Sequence, residues 1–196
     1  MKPYIVAITG ASGAIYGVRL LEVLAEQKIP VELVISDTAK IVIKEELGTT
    51  GDSHLKGDSH LHVHDFHDFT APIASGSYPT EGMVIIPCSM GTLGAIASGL
   101  SQNLIHRAAD CTIKEGRKLV LVPRETPLSA IHLENMLKLA RLGVKIVPPV
   151  PAFYGARQKV EDLVDFVVGK VLDQLGIQHA LYPRWVGKTA HSLYKR

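Results

Sequence analysis

This chain of 196 residues has few cysteines, few aromatic side chains and no long basic or apolar run. Its two cysteines, Cys88 and Cys111, lie far apart and lack the spacing of a metal or redox motif. The net charge is only +2, and the chain has no long basic run. It therefore lacks the clustered positive charge typical of a nucleic-acid-binding protein. No apolar stretch approaches the about 20 residues that cross a bilayer, and Met1–Gly10 contains no secretory hydrophobic segment. We therefore expect a protein of the reducing cytoplasm without a membrane partner.

What the chain does have is enough apolar material for one core. It is 46% hydrophobic and 20% charged, with 17 glycines and 11 prolines, which excludes a disordered class. The length predicts one domain over residues 1–196, with 48–68 as a histidine-rich loop and 176–196 as a C-terminal tail. The slightly positive mean hydropathy is high for a small monomer, so we expect apolar surface to be buried between subunits.

Short apolar runs alternate with amphipathic segments along the chain. Each run ends at glycine, proline or serine, as buried strands do, while apolar residues three and four apart predict helices. This alternation predicts a doubly wound α/β domain, whose parallel sheet is covered on both faces. The predicted strands are Tyr4–Thr9, Val31–Ile35, Met83–Ile86, Leu119–Val122 and Val144–Val147, and the predicted helices include Ala14–Gln27, Asp37–Leu47, Leu133–Ala140 and Val160–Leu175.

Small and polar residues follow each predicted strand. Sheets of this kind bind ligands at the carboxyl ends of their strands, near the point where the strand order reverses. Glycine, serine, threonine and one arginine at these ends suit a phosphate-bearing ligand with hydroxyl groups. The segments are Gly10–Gly13, Ser36–Asp37, Pro87–Thr92, Pro123–Thr126 and Pro148–Tyr154.

The first of these segments allows backbone N–H groups to approach an anion or a planar ring closely. It does not fit two better-known motifs. Ser12 replaces the second glycine of G-x-G-x-x-G, and Ala14 replaces the last glycine of G-x-S-x-G, which disfavours a dinucleotide site and a hydrolase. A tight turn without a ligand remains the alternative here, and a plain N-capped helix remains the alternative for Cys88–Thr92.

Cations and histidines give weaker signals. Arg124 follows a strand directly, where a ligand contact is a fair expectation, whereas Arg107 and Lys114 share one helix face that solvent alone would explain. Alternation at His62 and His64 would put two imidazoles on one face of a strand, as in some metal sites. The histidine-rich segment lacks a known zinc spacing, so we expect a solvated loop and no metal.

The motifs that occur in order are Thr9–Ala14, Ala74–Ser77, Pro87–Met90, Arg107–Asp110, Lys114–Glu115, Leu119–Pro127, His132–Met136, Pro148–Tyr154 and Arg184–Trp185. Together they resemble the flavin prenyltransferases, the UbiX-like proteins that include small subunits associated with phenolic acid decarboxylases. The resemblance spans nearly the whole chain. Each motif alone is weak, and their number in the right order gives the resemblance its strength.

The resemblance implies an enzyme that joins a dimethylallyl group from dimethylallyl phosphate to N5 and C6 of reduced flavin mononucleotide (FMN). It implies prenyl transfer without a metal, a UbiD-type decarboxylase that receives the prenylated FMN, and a dodecamer with active sites where subunits meet. An oligomer of this kind would agree with the apolar surface expected from the hydropathy.

The resemblance also implies roles for particular residues. Ser12 would lie near the reacting N5 edge, and Glu46 and Glu125 would support proton movement. Tyr154 and Lys170 would reach the donor across a subunit boundary. The implied catalytic residues are Ser12, Glu46, Lys114 and Glu125; the FMN-binding residues are Gly10, Ala11, Ser12, Ser36, Ser89, Met90, Gly91, Thr92 and Arg124; and the donor-binding residues are Ser75, Gly76, Ser77, Arg107, Lys114, Arg124, Tyr154 and Lys170.

Two positions depart from the family pattern. Lys170 stands where many relatives have arginine, so the charge is kept while the bidentate fork is lost. Phe69 and Thr70 stand where many relatives have a tryptophan. Two other functions remain open: an FMN-binding accessory subunit of an aromatic acid decarboxylase without prenyl transfer, and an NAD-dependent oxidoreductase, which the glycine pattern disfavours.

Overall fold

The computed structural model describes residues 1–49, 59–153 and 159–185. Within these ranges six parallel strands form one sheet in the order β3-β2-β1-β4-β5-β6. The strands are β1 (Tyr4–Ile8), β2 (Val31–Ile35), β3 (Leu61–His64), β4 (Gly82–Cys88), β5 (Lys118–Pro123) and β6 (Lys145–Ile146). The helices are α1 (Ala14–Glu26), α2 (Asp37–Leu47), α3 (Met90–Ala97), α4 (Leu104–Lys114), α5 (Ala130–Arg141) and α6 (Val160–Leu175), with a short 3₁₀ helix at Pro72–Ala74.

Two apolar cores lie on opposite faces of the sheet, because successive strand side chains point to opposite sides. Along β1, Val6 and Ile8 belong to the core shared with α1 and α6, whereas Ile5 and Ala7 belong to the core shared with α3 and α4. All five residues of β1 and all five of β2 are buried, as the continuous apolar runs predicted. The predicted doubly wound parallel sheet is confirmed.

The strand order reverses between β1 and β4, the two central strands. Crossovers from β1 lead towards β3 on one side, and crossovers from β4 lead towards β6 on the other. The loops after β1 and β4 therefore diverge and leave a crevice at their carboxyl ends. No helix in the described ranges is long and apolar enough to span a membrane.

The second half of the predicted histidine-rich loop differs from the prediction, because Leu61–His64 forms the edge strand β3. His62 and His64 point to the same face as Glu32 of β2, whose carboxylate is buried and accepts a hydrogen bond from the Tyr78 hydroxyl at 2.6 Å. This bond to Glu32 raises the pKa of Tyr78 to about 12. Attraction between the imidazoles and a buried carboxylate explains a strand whose sequence is too polar to predict one.

The strand β4 also runs further than predicted, through Pro87 to Cys88. Proline lacks an N–H for the ladder, and the pairing of β4 with β5 shifts register between Ile85 and Cys88. The Pro87 carbonyl remains in use, because it accepts a hydrogen bond from the Thr9 backbone N–H at 3.2 Å. The extension carries the chain directly to the start of α3.

A glycine in α1 sets how closely that helix approaches β4. A Cβ at Gly17 would lie 2.5 Å from the Ile86 backbone oxygen, so Gly17→Ala forces the two elements apart. Overpacking costs about 1–3 kcal/mol, which exceeds the gain of about 1 kcal/mol in helix propensity. We expect a lower free energy of unfolding, measured by urea denaturation.

The matched control is Gly94→Ala in α3, where a Cβ would have its nearest neighbour at 3.5 Å. Only the propensity gain applies there, so the free energy of unfolding should rise slightly. Equal stabilisation of both variants would contradict the close contact between α1 and β4.

Candidate functional site

A cavity of about 590 Å³ opens at the carboxyl ends of the strands, beside the crevice between β1 and β4. This volume lies in the usual range for small-molecule sites. Hydroxyl, amide and small side chains line it, and none of its described lining residues is acidic or basic apart from one histidine. The lining residues are Thr9, Gly10, Ser36, Thr38, Phe66, Ser89, Gly91, Thr92, Gly94, Ala95, Ser98, Leu100, Gln102, Asn103, His106 and Asn135.

Three helices begin at this cavity. The side chains of Ser36, Ser89 and Asn103 cap α2, α3 and α4 by accepting backbone N–H groups at 3.1, 3.3 and 2.9 Å. Helix N-termini carry partial positive charge and unpaired N–H groups, so they attract anions without a charged side chain. Their convergence on a cavity without carboxylates suits a ligand that carries phosphate.

The hydroxyl of Thr9 fixes the two sides of the crevice together. Its O–H donates to the Pro87 carbonyl at 2.9 Å, and its oxygen accepts from the Ser89 N–H at 2.8 Å. Thr9 is buried, and its two partners are Pro87, near the end of β4, and Ser89, the N-cap of α3. A single hydroxyl thereby places the start of α3 against the end of β1.

The turn between β1 and α1 already holds an anion, the carboxylate of Glu46 from α2. Glu46 accepts the backbone N–H groups of Gly13, at 3.0 and 3.1 Å, and of Ala14, at 2.9 Å. Gly13 takes the left-handed conformation, with φ 99°, which directs these N–H groups at the carboxylate. The N-terminus of α1 is therefore occupied by the protein itself, in contrast to dinucleotide-binding folds that place a phosphate there.

The groups around Glu46 favour its charged form. Partial burial acts to raise its pKa, but hydrogen bonds from Ser12, Ala14 and Gly13 together with the nearby Arg124 charge hold the pKa below its ordinary value. Arg124 in turn donates from Nε to the Ser12 carbonyl at 3.0 Å. The predicted residues Ser12, Glu46 and Arg124 thus form one connected group beside the cavity.

A second group of predicted residues lies along α4. Arg107 donates from Nε to the Ala74 carbonyl at 2.9 Å, and a Cβ at Gly76 would lie within 2.6 Å of Lys114 Nζ. The hydroxyls of Ser75 and Ser77 are 2.8 Å apart. Lys114 is exposed, and the Glu115 carboxylate at 2.7 Å raises the pKa of its ammonium group. Cations and hydroxyls therefore meet here, as expected for a second phosphate site.

Lys114 and Arg124 lie at opposite ends of the sheet. Lys114 precedes β5 and Arg124 follows it, and a strand of six residues spans about 20 Å. Lys114 therefore lies at the amino end of the strands, whereas the cavity and Arg124 lie at the carboxyl end. Within one chain, Lys114 and Arg124 do not contact the same phosphate.

The remaining predicted residues have less defined places. Met90 packs against the core below α3, and the exposed Glu125 accepts the Thr126 N–H at 3.0 Å. Lys170 is exposed on α6, with Nζ 3.8 Å from Asp173, whose carboxylate also binds Arg184. Tyr154 lies outside the described residues.

Several cavity residues had no sequence prediction. Thr38, Phe66, Gln102, Asn103, His106 and Asn135 line the cavity, yet most of them lie away from the ends of the predicted strands. An asparagine before a helix looks like an ordinary cap, and a histidine in the first turn has no distinctive spacing. A tertiary contact that the local sequence does not reveal, from the Leu104 N–H to the Phe66 carbonyl, helps to bring Asn103 and His106 to this place.

The chain is similar to known proteins over nearly its whole length. The Flavoprotein family model matches residues 1–172. The flavin prenyltransferase UbiX of Halalkalibacterium halodurans is 53% identical over 190 residues, covering 93% of this chain and 92% of its own. The crystal structure of AnUbiX (PadA1) in complex with FMN and dimethylallyl pyrophosphate is 44% identical, with a TM-score of 0.90 over 95% of this chain and 98% of that one. A dodecameric FMN-dependent UbiX-like decarboxylase from Escherichia coli O157:H7 is 49% identical, with a TM-score of 0.89 over 94% of this chain and all of that one.

The contact of Glu46 with the α1 N-terminus predicts a pH-dependent contribution to stability. Because the pKa of Glu46 is lowered on folding, its contribution is present above the ordinary carboxyl pKa and is lost as the pH falls through the folded value. Glu46→Gln should therefore lower the free energy of unfolding at pH 7, and the difference from the native chain should shrink towards about pH 3.

The measurement is urea denaturation of both proteins between pH 3 and 7. Glu45→Gln, an exposed neighbour on the same helix, serves as the control and should show no such trend. A Glu46→Gln difference that stays constant over this range would contradict a charged carboxylate at the helix end.

Proposed function

Because this chain belongs to the UbiX-like flavin prenyltransferases of the Flavoprotein family, we propose that it transfers a dimethylallyl group from a dimethylallyl phosphate ester to reduced FMN. When bound, reduced FMN supplies the N5 and C6 atoms to which the prenyl carbons become bonded. The observation that carries the proposal is the pairing of a charge-free cavity, ringed by three helix N-termini, with a separate cluster of cations and hydroxyls.

The residues of the cavity fit FMN. Its small and hydroxyl-bearing walls accept a flat ring and a ribityl chain, and the N-termini of α2, α3 and α4 accept a phosphate. Gly91 is open on its side-chain face, where a Cβ would meet nothing within 4 Å, so backbone can approach a ring closely there. Ser12, Glu46 and Arg124 would border the ring at its reacting edge.

The second cluster would bind the prenyl donor. In prenyl transfer the bond between the allylic carbon and the phosphate oxygen breaks, and the negative charge of the leaving phosphate increases. Arg107 and Lys114 supply positive charge, and Ser75 and Ser77 supply hydroxyl donors, for that leaving group. We expect these groups to act without a metal ion.

The two clusters would meet only between subunits. In one chain Lys114 and Arg124 flank β5 at its opposite ends, so a donor held by Lys114 reaches FMN only if the FMN belongs to another chain. The dodecameric relative supports a homo-oligomer, and exposed apolar residues such as Ile131, Leu137 and Phe153 offer surface for one. Tyr154 and Lys170 would complete the donor site from such a neighbour.

We also propose that prenylated FMN leaves as the product and serves a UbiD-type decarboxylase, and that the enzyme works in the cytoplasm. The phosphate form of the donor is part of the test, since the comparison structure holds dimethylallyl pyrophosphate. Both the monophosphate and the diphosphate present the anion that the Lys114 cluster would bind.

Anaerobic incubation with reduced FMN and either dimethylallyl phosphate or the diphosphate should yield a flavin heavier by one dimethylallyl unit, measured by mass spectrometry. Lys114→Ala should abolish this product and leave FMN binding unchanged, because Lys114 would bind the donor phosphate and is far from the FMN cavity of its own chain. Bound but unmodified flavin with the native chain would favour the accessory-subunit alternative.

Mixing two inactive variants tests the shared site directly. Arg124→Ala damages the FMN side and Lys114→Ala damages the donor side, so co-assembled oligomers would regain intact sites wherever two undamaged halves meet. Random mixing at equal amounts should restore activity to about a quarter of the native sites. Activity no higher than that of either variant alone would place both residues of one site on the same chain.

A further inference from the structure

Asn103 and His106 form a buried polar pair in the wall of the cavity. They are 9% and 7% exposed, and both belong to the start of α4. Asn103 caps the helix through its side-chain oxygen, which accepts the His106 backbone N–H at 2.9 Å. Its amide nitrogen lies 3.2 Å from Nδ1 and 3.3 Å from Nε2 of the imidazole.

This geometry leaves one hydrogen-bond donor of His106 without a protein acceptor. The Asn103 amide nitrogen can only donate and is nearly equidistant from both ring nitrogens, so it bonds to whichever of them accepts, and the hydrogen of the neutral imidazole is on the other one. No residue in the described ranges accepts that hydrogen. A buried donor without a partner is costly, which indicates that an acceptor enters from the cavity.

The imidazole is suited to act as a neutral donor. Burial lowers the pKa of His106, and no Asp, Glu, Lys or Arg lines the cavity beside it. The nearest charges on its own helix point elsewhere, since Arg107 binds Ala74 and Asp110. A neutral N–H binds an anionic oxygen strongly in such a place, because the bond is charge-assisted.

The position of the pair along the sheet identifies which end of the flavin it would meet. The Leu104 N–H donates to the Phe66 carbonyl at 3.0 Å, which holds the start of α4 beside the loop after β3. Ser36 and Thr38, which follow β2, line the same end of the cavity. The Arg124 side chain lies at the β1–α1 turn, because its Nε donates to the Ser12 carbonyl at 3.0 Å.

The N-termini of α2 and α4 attract an anion to the β2 end of the cavity. With the ring edge at Ser12 and Arg124, the phosphate would lie at the β2 end, near the N-termini of α2 and α4. The carboxylates described at that end do not line the cavity: Asp37 is paired with Lys40 and His67, Asp65 accepts the His67 N–H, and Asp68 accepts from Thr70.

We propose that His106, oriented by Asn103, recognises the phosphate group of FMN and so distinguishes FMN from riboflavin. The proposal rests on the proposed function, because it assumes that the cavity holds the flavin. It assigns specificity for the phosphorylated flavin to a residue that lies outside every motif of the sequence. Asn103 is a positioning residue in this scheme, since its amide nitrogen holds the imidazole ring.

The test is a comparison of FMN and riboflavin binding by flavin fluorescence, with oxidised flavins and the intact oligomer. His106→Phe keeps a flat ring and removes the donor. We expect its dissociation constant for FMN to rise about tenfold or more, while that for riboflavin changes little. His106→Gln restores a side-chain N–H and should recover most of the preference for FMN.

Different results distinguish failure of the His106–phosphate contact from failure of the proposed function. If His106→Phe weakens the binding of FMN and riboflavin equally, or changes neither, the phosphate contact is overturned. It is also overturned if His106→Gln unfolds at the native temperature and yet does not recover the preference for FMN. If the native chain binds neither flavin, the proposed function itself fails.

Discussion

The direction of β5 is the constraint on which the account of this protein depends. Parallel strands put all of their carboxyl ends on one edge, so a residue before β5 and a residue after it cannot meet. Lys114 and Arg124 occupy these two places, and each belongs to a separate polar group. A reaction that needs both groups must therefore use two copies of the chain. The slightly apolar composition and the exposed apolar side chains fit the same requirement.

Glu46 explains why this doubly wound sheet does not bind its ligand as a dinucleotide fold does. Its carboxylate takes the backbone N–H groups of Gly13 and Ala14 that would otherwise receive a phosphate. Anion binding is thereby left to the N-termini of α2, α3 and α4. The same carboxylate lies next to Ser12 and Arg124, where we propose that it would accept a proton at the ring edge. The Glu46 side chain thus occupies the N-terminus of α1 and would also supply the proton acceptor at the ring edge.

The sequence was a good guide where burial dictated the residues. Continuous apolar runs located five of the six strands, and small residues at their ends located the cavity, because a parallel sheet buries the former and exposes the latter. β3 was missed because its histidines contact the buried Glu32 of β2, and this contact between strands leaves no signal in the local sequence. His106 was missed for a similar reason, because its place in the cavity wall depends on how α4 packs against the loop after β3. The family resemblance is confirmed, whereas the roles of individual residues remain predictions.

The central claim is that one active site draws on two chains, and a crystal structure of the oligomer with FMN and dimethylallyl phosphate tests it most directly. The account predicts FMN in the cavity of one subunit, between Ser89 and His106, with the donor phosphate against Lys114 of a neighbouring subunit. A donor phosphate bound by Lys114 and facing the FMN of the same chain would contradict it.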